Sequence, residues 1–257
     1  MLLLKCQLAS DMGCLRTNNE DMILFNGGLY RDERYEQKFE LAPQARFTAF
    51  VADGMGGHEG GEFASELATQ AFDRFITDLP SGLSHETLSC EIKNWVDETH
   101  ALIVNKGLEL PQYEGMGTTF IGMFSYEGRV YMMNIGDSRL YRYRSGILKQ
   151  LSADHSMREL TGDESAPSNM IYNSLGAGTS AFADFIELTG QLLDEDLFLL
   201  CSDGLSDMLT DDQIEELLQY TPTAVHLIEA AKAAGGRDNI SVVLLQVTEQ
   251  TDEAEVV

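Results

Sequence analysis

Basic residues are scarce in this chain. Lysine and arginine number 17 against 42 aspartates and glutamates, a formal net charge of −25. Such a chain lacks the cations that displace counterions from a phosphate backbone, which argues against nucleic acid. The same charge argues against anionic membrane surfaces. Most of the acids read as a solvated surface that keeps the protein soluble by self-repulsion. Cysteine is also rare: positions 6, 14, 90 and 201 show no CxxC or other metal-ligand spacing. That leaves no disulfide framework and fits a reducing cytosol, so a cytoplasmic location is expected. Cys201, inside an apolar run, reads as a small buried hydrophobe. No segment approaches the roughly 18 consecutive apolar residues of a membrane span. The opening "MLLLKC" lacks the basic region and long apolar stretch of a secretory signal, and reads as a first strand. No internal repeat appears, and no Pro/Ser-rich linker divides the middle.

What is present is an apolar fraction of 44%, ample for a sizeable core. Short apolar runs with strand character lie near 2–8, 21–25, 46–52, 118–124, 129–135, 139–144, 184–188, 196–201 and 240–247. Between them, Phe63, Leu67, Ala71 and Phe75 recur every four residues, predicting a helix over 62–78. Leu88, Ile92, Trp95, Val96, Leu102 and Ile103 predict another over 86–104. Helical pieces follow at 211–219 and 222–234, the latter with Pro222 at or near its start. Helices do not alternate regularly with strands, so antiparallel sheets covered by helices are favoured over a doubly wound parallel sheet. "YEGRV" (126–130) and "YRSGI" (143–147) read as hairpin turns. Residues 27–45 read as a surface hairpin or loop, and the closing "TEQTDEAEVV" as an acidic frayed tail.

The informative pattern is where particular aspartates fall. Three apolar strands end in a carboxylate beside a turn residue: "AFVADG" at Asp53, "YMMNIGDS" at Asp137 and "FLLCSDG" at Asp203. Asp238 in "GRDNISVVLL" stands just before a strand. In an antiparallel sheet the end of one strand and the start of its neighbour share a rim, so four acids could converge. Like charges packed together raise one another's pKa, and a hard divalent cation with oxygen ligands, Mg²⁺ or Mn²⁺, relieves the conflict. The competing reading of each Asp-Gly is ordinary turn chemistry. Spacing alone leaves both open.

The ordered blocks "RTNNED" (16–21), "VADGMGGHEGG" (51–61), "GTTF" (117–120), "NIGDSRLYRYR" (134–144), "LLCSDGLSDML" (199–209) and "GRDNISVVLL" (236–245) closely resemble the metal-dependent protein serine/threonine phosphatases, the PPM or type 2C family, in its bacterial "DGMGGH" form. The resemblance covers roughly residues 8–247, in the family's order. It implies an α+β fold: a four-layer α-β-β-α sandwich, two central mostly antiparallel sheets flanked by helices. Residues 1–248 would form one catalytic domain, with 249–257 a disordered acidic tail.

The resemblance further implies hydrolysis of phosphoserine and phosphothreonine on proteins by a metal-bridging hydroxide at a dinuclear Mn²⁺ or Mg²⁺ centre, two ions per chain with a possible third. Asp53 would bridge both metals. Gly54 would lend its carbonyl and Glu20 its carboxylate to one of them, with Asp21 orienting water beside it. Asp203 and Asp238 would hold the other metal. Asp137, with Asp203, matches the acid that recruits a third. Arg16 stands where the family grips phosphate, a task suited to the guanidinium fork. His58 is the candidate proton donor to the leaving alkoxide, or else organises its loop. His155 reads as structural, Asn239 as a support orienting Asp238, and Thr118 and Thr119 as tight packing beneath the centre. The segment between Asp137 and the "SDG" strand, interrupted by Pro167, reads as a shortened form of the family's flap. The expected partners are phosphorylated proteins, including a Ser/Thr kinase and its substrates, met by a monomer. The alternative is a catalytically silent module that keeps the fold and binds phosphoproteins without turnover.

Overall fold

The computed structural model describes residues 2–42, 44–56, 60–162 and 170–249. The first strands are β1 (Leu2–Asp11), β2 (Met22–Phe25), β3 (Gly28–Tyr30), β4 (Arg34–Glu40), β5 (Thr48–Ala52) and β6 (Gly54–Met55). Two long helices follow, α1 (Gly60–Asp78) and α2 (His85–Glu109). The chain then returns to strands: β7 (Gly117–Thr118), β8 (Phe120–Tyr126), β9 (Arg129–Ile135), β10 (Arg139–Arg144) and β11 (Ile147–Gln150). The last part holds α3 (Met157–Thr161), β12 (Asp184–Glu187), β13 (Leu197–Cys201), α4 (Asp203–Ser206), α5 (Asp211–Tyr220), α6 (Ala224–Ala233) and β14 (Ile240–Glu249).

These strands form two six-stranded sheets, β11-β10-β13-β14-β1-β4 and β12-β9-β8-β5-β2-β3, with a small β6-β7 pair beside them. Every strand pairing within both large sheets is antiparallel. The pleat explains why the central strands read as unbroken apolar runs. In β5, Ala49 and Val51 face the space between the sheets, where they join Leu8, Ile23, Ile121, Leu200 and Val243. Phe50 and Ala52 face the other way, into a core shared with Phe72 of α1 and Trp95 of α2. β14 alternates likewise: Val243 and Leu245 enter the inter-sheet core, while Val242 and Leu244 meet Ile214 of α5 and Leu227 of α6. With both faces of each sheet covered, alternation of apolar and polar residues disappears. The result is the expected four-layer sandwich.

Helix ends follow local chemistry. The α2 N-cap Ser84 accepts from the Thr87 amide, and Thr210 and Gln213 form a reciprocal capping box on α5. α6 is capped by Thr223, so Pro222 precedes the cap rather than opening the helix. Pro222 thus stands near the helix start, as expected, while the threonine hydroxyl satisfies an orphan amide that the proline ring cannot.

Segment 27–45 departs from expectation. It is neither a loop nor a self-paired hairpin. β3 extends the edge of one sheet beside β2, whereas β4 pairs with β1 at the edge of the other. Pro167 and residues 250–257 of the expected tail lie outside the described residues. No helix among the described residues is long and apolar enough to cross a membrane.

Candidate active site

The strand ends predicted to share a rim do so. Cys201 closes β13 opposite Val242 near the start of β14, which brings Asp203 beside Asp238. In the other sheet Ala52 at the end of β5 pairs with Met22 at the start of β2, so Asp53 meets Glu20 and Asp21. β9 ends at Ile135 in that same sheet, delivering Asp137. A cavity of about 320 Å³ opens where these ends face one another. Arg16, Glu20, Asp53, Gly54, Asp137, Asp203 and Asp238 all line it. Asp21 and Asn239 stand behind its wall, both buried. His58 lies outside the described residues.

The backbone around Asp53 is bracketed. Its amide donates to Thr119 Oγ1 at 3.0 Å, and its carbonyl accepts from Thr118 Oγ1 and the Thr119 amide, each at 2.9 Å. Thr119 Oγ1 in turn shares a hydrogen bond with Ser138 Oγ, 2.7 Å, next to Asp137. The two threonines therefore do more than pack beneath the centre; they fix the angle at which Asp53 leaves its strand. Gly54 is required by close approach, since a Cβ there would overlap the carbonyl oxygens of Gly61 and Glu20.

Asn239 ties the two sheets' contributions together. Its side-chain oxygen accepts from the Glu20 amide at 2.8 Å, and its side-chain nitrogen donates to the carbonyls of Met12 and Asn18. Its own amide donates to Asp238 Oδ1 at 2.8 Å. The support role expected for Asn239 thus extends to the whole segment carrying Glu20. Arg16 donates to Asp238 Oδ2 at 2.5 Å, placing its guanidinium at the cavity.

His155 is structural, as expected. Its Nδ1 accepts from the Gly136 amide at 3.1 Å and lies 2.7 Å from Asn173 Nδ2, leaving Nε2 to donate to Asp184. The ring thereby braces the turn that carries Asp137.

The electrostatics are those of crowded acids. Burial foremost, then the charges of Asp21, Asp203, Asp137 and Asp238, push the Asp53 carboxyl well above the usual range. Asp21 is raised to about 7, chiefly by burial, with the Ser202 and Ser241 hydroxyls pulling the other way. Burial and the neighbouring Asp203 and Asp154 raise Asp137 to about 7; burial, Asp238 and Asp207 raise Asp203 to about 6. Asp53 and Asp203 thus stand close enough for each to shift the other. Asp21 Oδ1 is buried with no hydrogen-bond partner among the described residues. Among the described residues no three acidic, histidine or cysteine side chains are grouped as a metal ion would need them; the acids line a shared cavity. An all-oxygen donor set, mutually repelling and short of protons' worth of positive charge, fits hard divalent cations.

Sequence reasoning missed several members of the site. Ser202 Oγ donates to Asp21 Oδ2, Ser241 donates its amide to Ser202 Oγ, and Ser241 and Ser10 share a hydrogen bond. The available signal was a serine interrupting each of three otherwise apolar strand ends, at "ASD", "CSD" and "NIS". Arg31 and Ser65 carried no such signal.

A profile of the protein phosphatase 2C family matches residues 27–244. The chain is 31% identical to the serine/threonine phosphatase stp of Listeria monocytogenes, over 93% of this chain and 94% of that protein. It is 32% identical to the serine/threonine protein phosphatase PstP of Mycobacterium tuberculosis, over 96% of this chain but only 46% of PstP. Among solved structures, the catalytic domain of PstP in complex with two manganese ions superposes with a TM-score of 0.74 at 32% identity, over 97% of this chain and all of that one. The serine/threonine phosphatase of S. agalactiae superposes with a TM-score of 0.78 at 27% identity, over 96% of this chain and all of the other.

Proposed function

Because the chain belongs to the protein phosphatase 2C family, we propose that its carboxylate-lined cavity hydrolyses phosphoserine and phosphothreonine esters on proteins with the help of divalent cations. The chain is a protein-serine/threonine phosphatase of bacterial type. The observation that carries the metal reading is the crowding of Asp53, Asp203 and their neighbours, whose charges oppose one another unless protons or cations intervene.

Asp53 and Glu20, with the Gly54 carbonyl, would hold one Mn²⁺ or Mg²⁺, and Asp53, Asp203 and Asp238 a second. Asp137 with Asp203 would hold a third. When bound, such cations supply a nucleophile from water at neutral pH and offset charge on the phosphoryl group. Arg16 grips the phosphate oxygens, exchanging Asp238 for the substrate. Asp21, whose Oδ1 has no hydrogen-bond partner among the described residues, would orient water beside Glu20. In the overall reaction a water oxygen bonds to phosphorus, the ester P–O bond breaks, and the leaving alkoxide takes up a proton. His58 is the candidate donor. The cations and Arg16 also account for how a protein of net charge −25 admits a phosphorylated partner. The partners are phosphoproteins, including a Ser/Thr kinase and its targets, met in the cytoplasm by a monomer.

The test is phosphate release from phosphoserine, phosphothreonine and phosphotyrosine peptides with and without manganese. Manganese-dependent release from the first two supports the reading. Binding of those peptides without release returns the chain to the silent-module alternative.

A further inference from the structure

Two connections cross between the sheets at the cavity rim, and they run side by side. Residues 12–21 link β1 of one sheet to β2 of the other and carry Arg16, Glu20 and Asp21. Residues 31–33 make the return crossing, from β3 to β4. Arg31, in this second crossing, uses its planar fork on four acceptors at once. Its Nε donates to the Asp21 carbonyl at 2.9 Å and its Nη1 to Glu62 Oε1 at 2.7 Å. Its Nη2 donates to the Glu62 carbonyl at 2.9 Å and reaches Ser65 Oγ at 3.3 Å. Ser65 Oγ then donates to the Glu20 carbonyl at 2.6 Å. Next to Arg31, Asp32 holds a left-handed backbone (φ 55°), and its Oδ1 accepts from Asn19 Nδ2 at 2.8 Å.

We infer that Arg31 is a positioning residue for the metal centre, clamping the backbone of Glu20 and Asp21 against the first turn of α1. It touches neither substrate nor reacting atoms. It holds the Asp21 carbonyl directly and the Glu20 carbonyl through Ser65, and by its bonds to Glu62 and Ser65 it fixes both to the helix that begins at Gly60, against which Gly54 packs. No compact point charge could do this, because a lysine ammonium lacks the flat fork that meets a carbonyl, a carboxylate and a hydroxyl together. Groups that orient metal ligands from behind are worth roughly ten- to hundredfold in metal affinity when removed.

The inference rests on the metal reading proposed above, and calorimetric titration with MnCl₂ separates the two. Arg31→Ala should weaken manganese binding roughly ten- to hundredfold. Arg46→Ala is the comparison, since Arg46 also donates to two carbonyls of α1, those of Ile76 and Thr77 at its far end. It should lower the melting temperature yet leave manganese affinity unchanged. If Arg31→Ala does not fold, Arg31→Lys decides, with weakened manganese binding again expected. A folded Arg31 variant with wild-type manganese affinity overturns the inference. So does an Arg46→Ala protein that loses as much affinity as the Arg31 variant, since that would make the effect one of general stability. Wild-type protein that takes up no manganese overturns the proposed function itself, and this inference with it.

Discussion

Ser202 Oγ donates to Asp21 Oδ2 at 2.8 Å, joining two residues 181 positions apart in the chain. Ser202 follows β13 in one sheet and Asp21 precedes β2 in the other, so the bond spans the seam of the sandwich at the level of the cavity. A hydroxyl donating to a carboxylate favours its charged form. At Asp21 that effect works against burial and the charges of Asp203 and Asp238, and it holds the acid at about 7 rather than higher.

Ser202→Ala therefore raises the Asp21 pKa further. The expected outcome is an acidic limb of the pH–rate profile displaced to higher pH. Circular dichroism checks that the fold survives. A profile superposable on the wild type removes Asp21 from the proton chemistry.

Arg16 stands half-exposed at the cavity, paired with Asp238. Hydrogen bonds to charged groups contribute about 1.5–3 kcal/mol, so Arg16→Ala should raise KM for a phosphopeptide roughly ten- to hundredfold if ground-state phosphate binding is lost. kcat should change much less. Steady-state kinetics at saturating manganese measures both, and an unchanged KM would return Arg16 to the role of a surface ion pair.

The raised carboxyls also predict how stability follows pH. Asp21 and Asp137 lie at about 7 and Asp203 at about 6, against roughly 3.9 for an unfolded aspartate. Between about pH 4 and 7 the unfolded chain ionises first and the native state holds the extra protons, so native stability falls as pH rises. No penalty exists below the unfolded value, and the full penalty stands above the folded ones. The melting temperature in chelator should drop between pH 5 and 8, and MnCl₂ should restore more of it at pH 8. Asp53→Asn, which removes one charge from the cluster, should lose turnover yet melt no lower than wild type without metal. A flat pH profile, or a marked loss of stability in Asp53→Asn, contradicts this picture.

Much of this architecture was legible in the sequence because its signals are local. The four-residue recurrence of Phe63, Leu67, Ala71 and Phe75 marks α1 as a helix, although its fully buried row is the adjacent Ala64, Ala68, Phe72 and Ile76, and the aspartates that end β5, β9 and β13 mark the rim. The edge strands were not legible. β3 is three residues long, and β4 exposes nearly all of Arg34–Glu40, so neither carries the alternation that betrays a half-buried strand. Splitting them between two sheets depends on which neighbours they meet. The polar supports were hidden for a related reason. Arg31 gains its meaning only from Asp21, Glu62 and Ser65, and a lone arginine in a charged stretch looks like surface. Ser202 and Ser241 become a pair only when β13 and β14 lie side by side.

The central question is whether cations occupy the cavity. Anomalous scattering from manganese-soaked crystals locates them directly. Peaks are expected in the cavity within coordinating distance of Asp53, Asp203 and Asp238, with Glu20 and the Gly54 carbonyl alongside. An empty cavity, with those acids turned towards solvent in a protein that still releases phosphate, would contradict the metal reading.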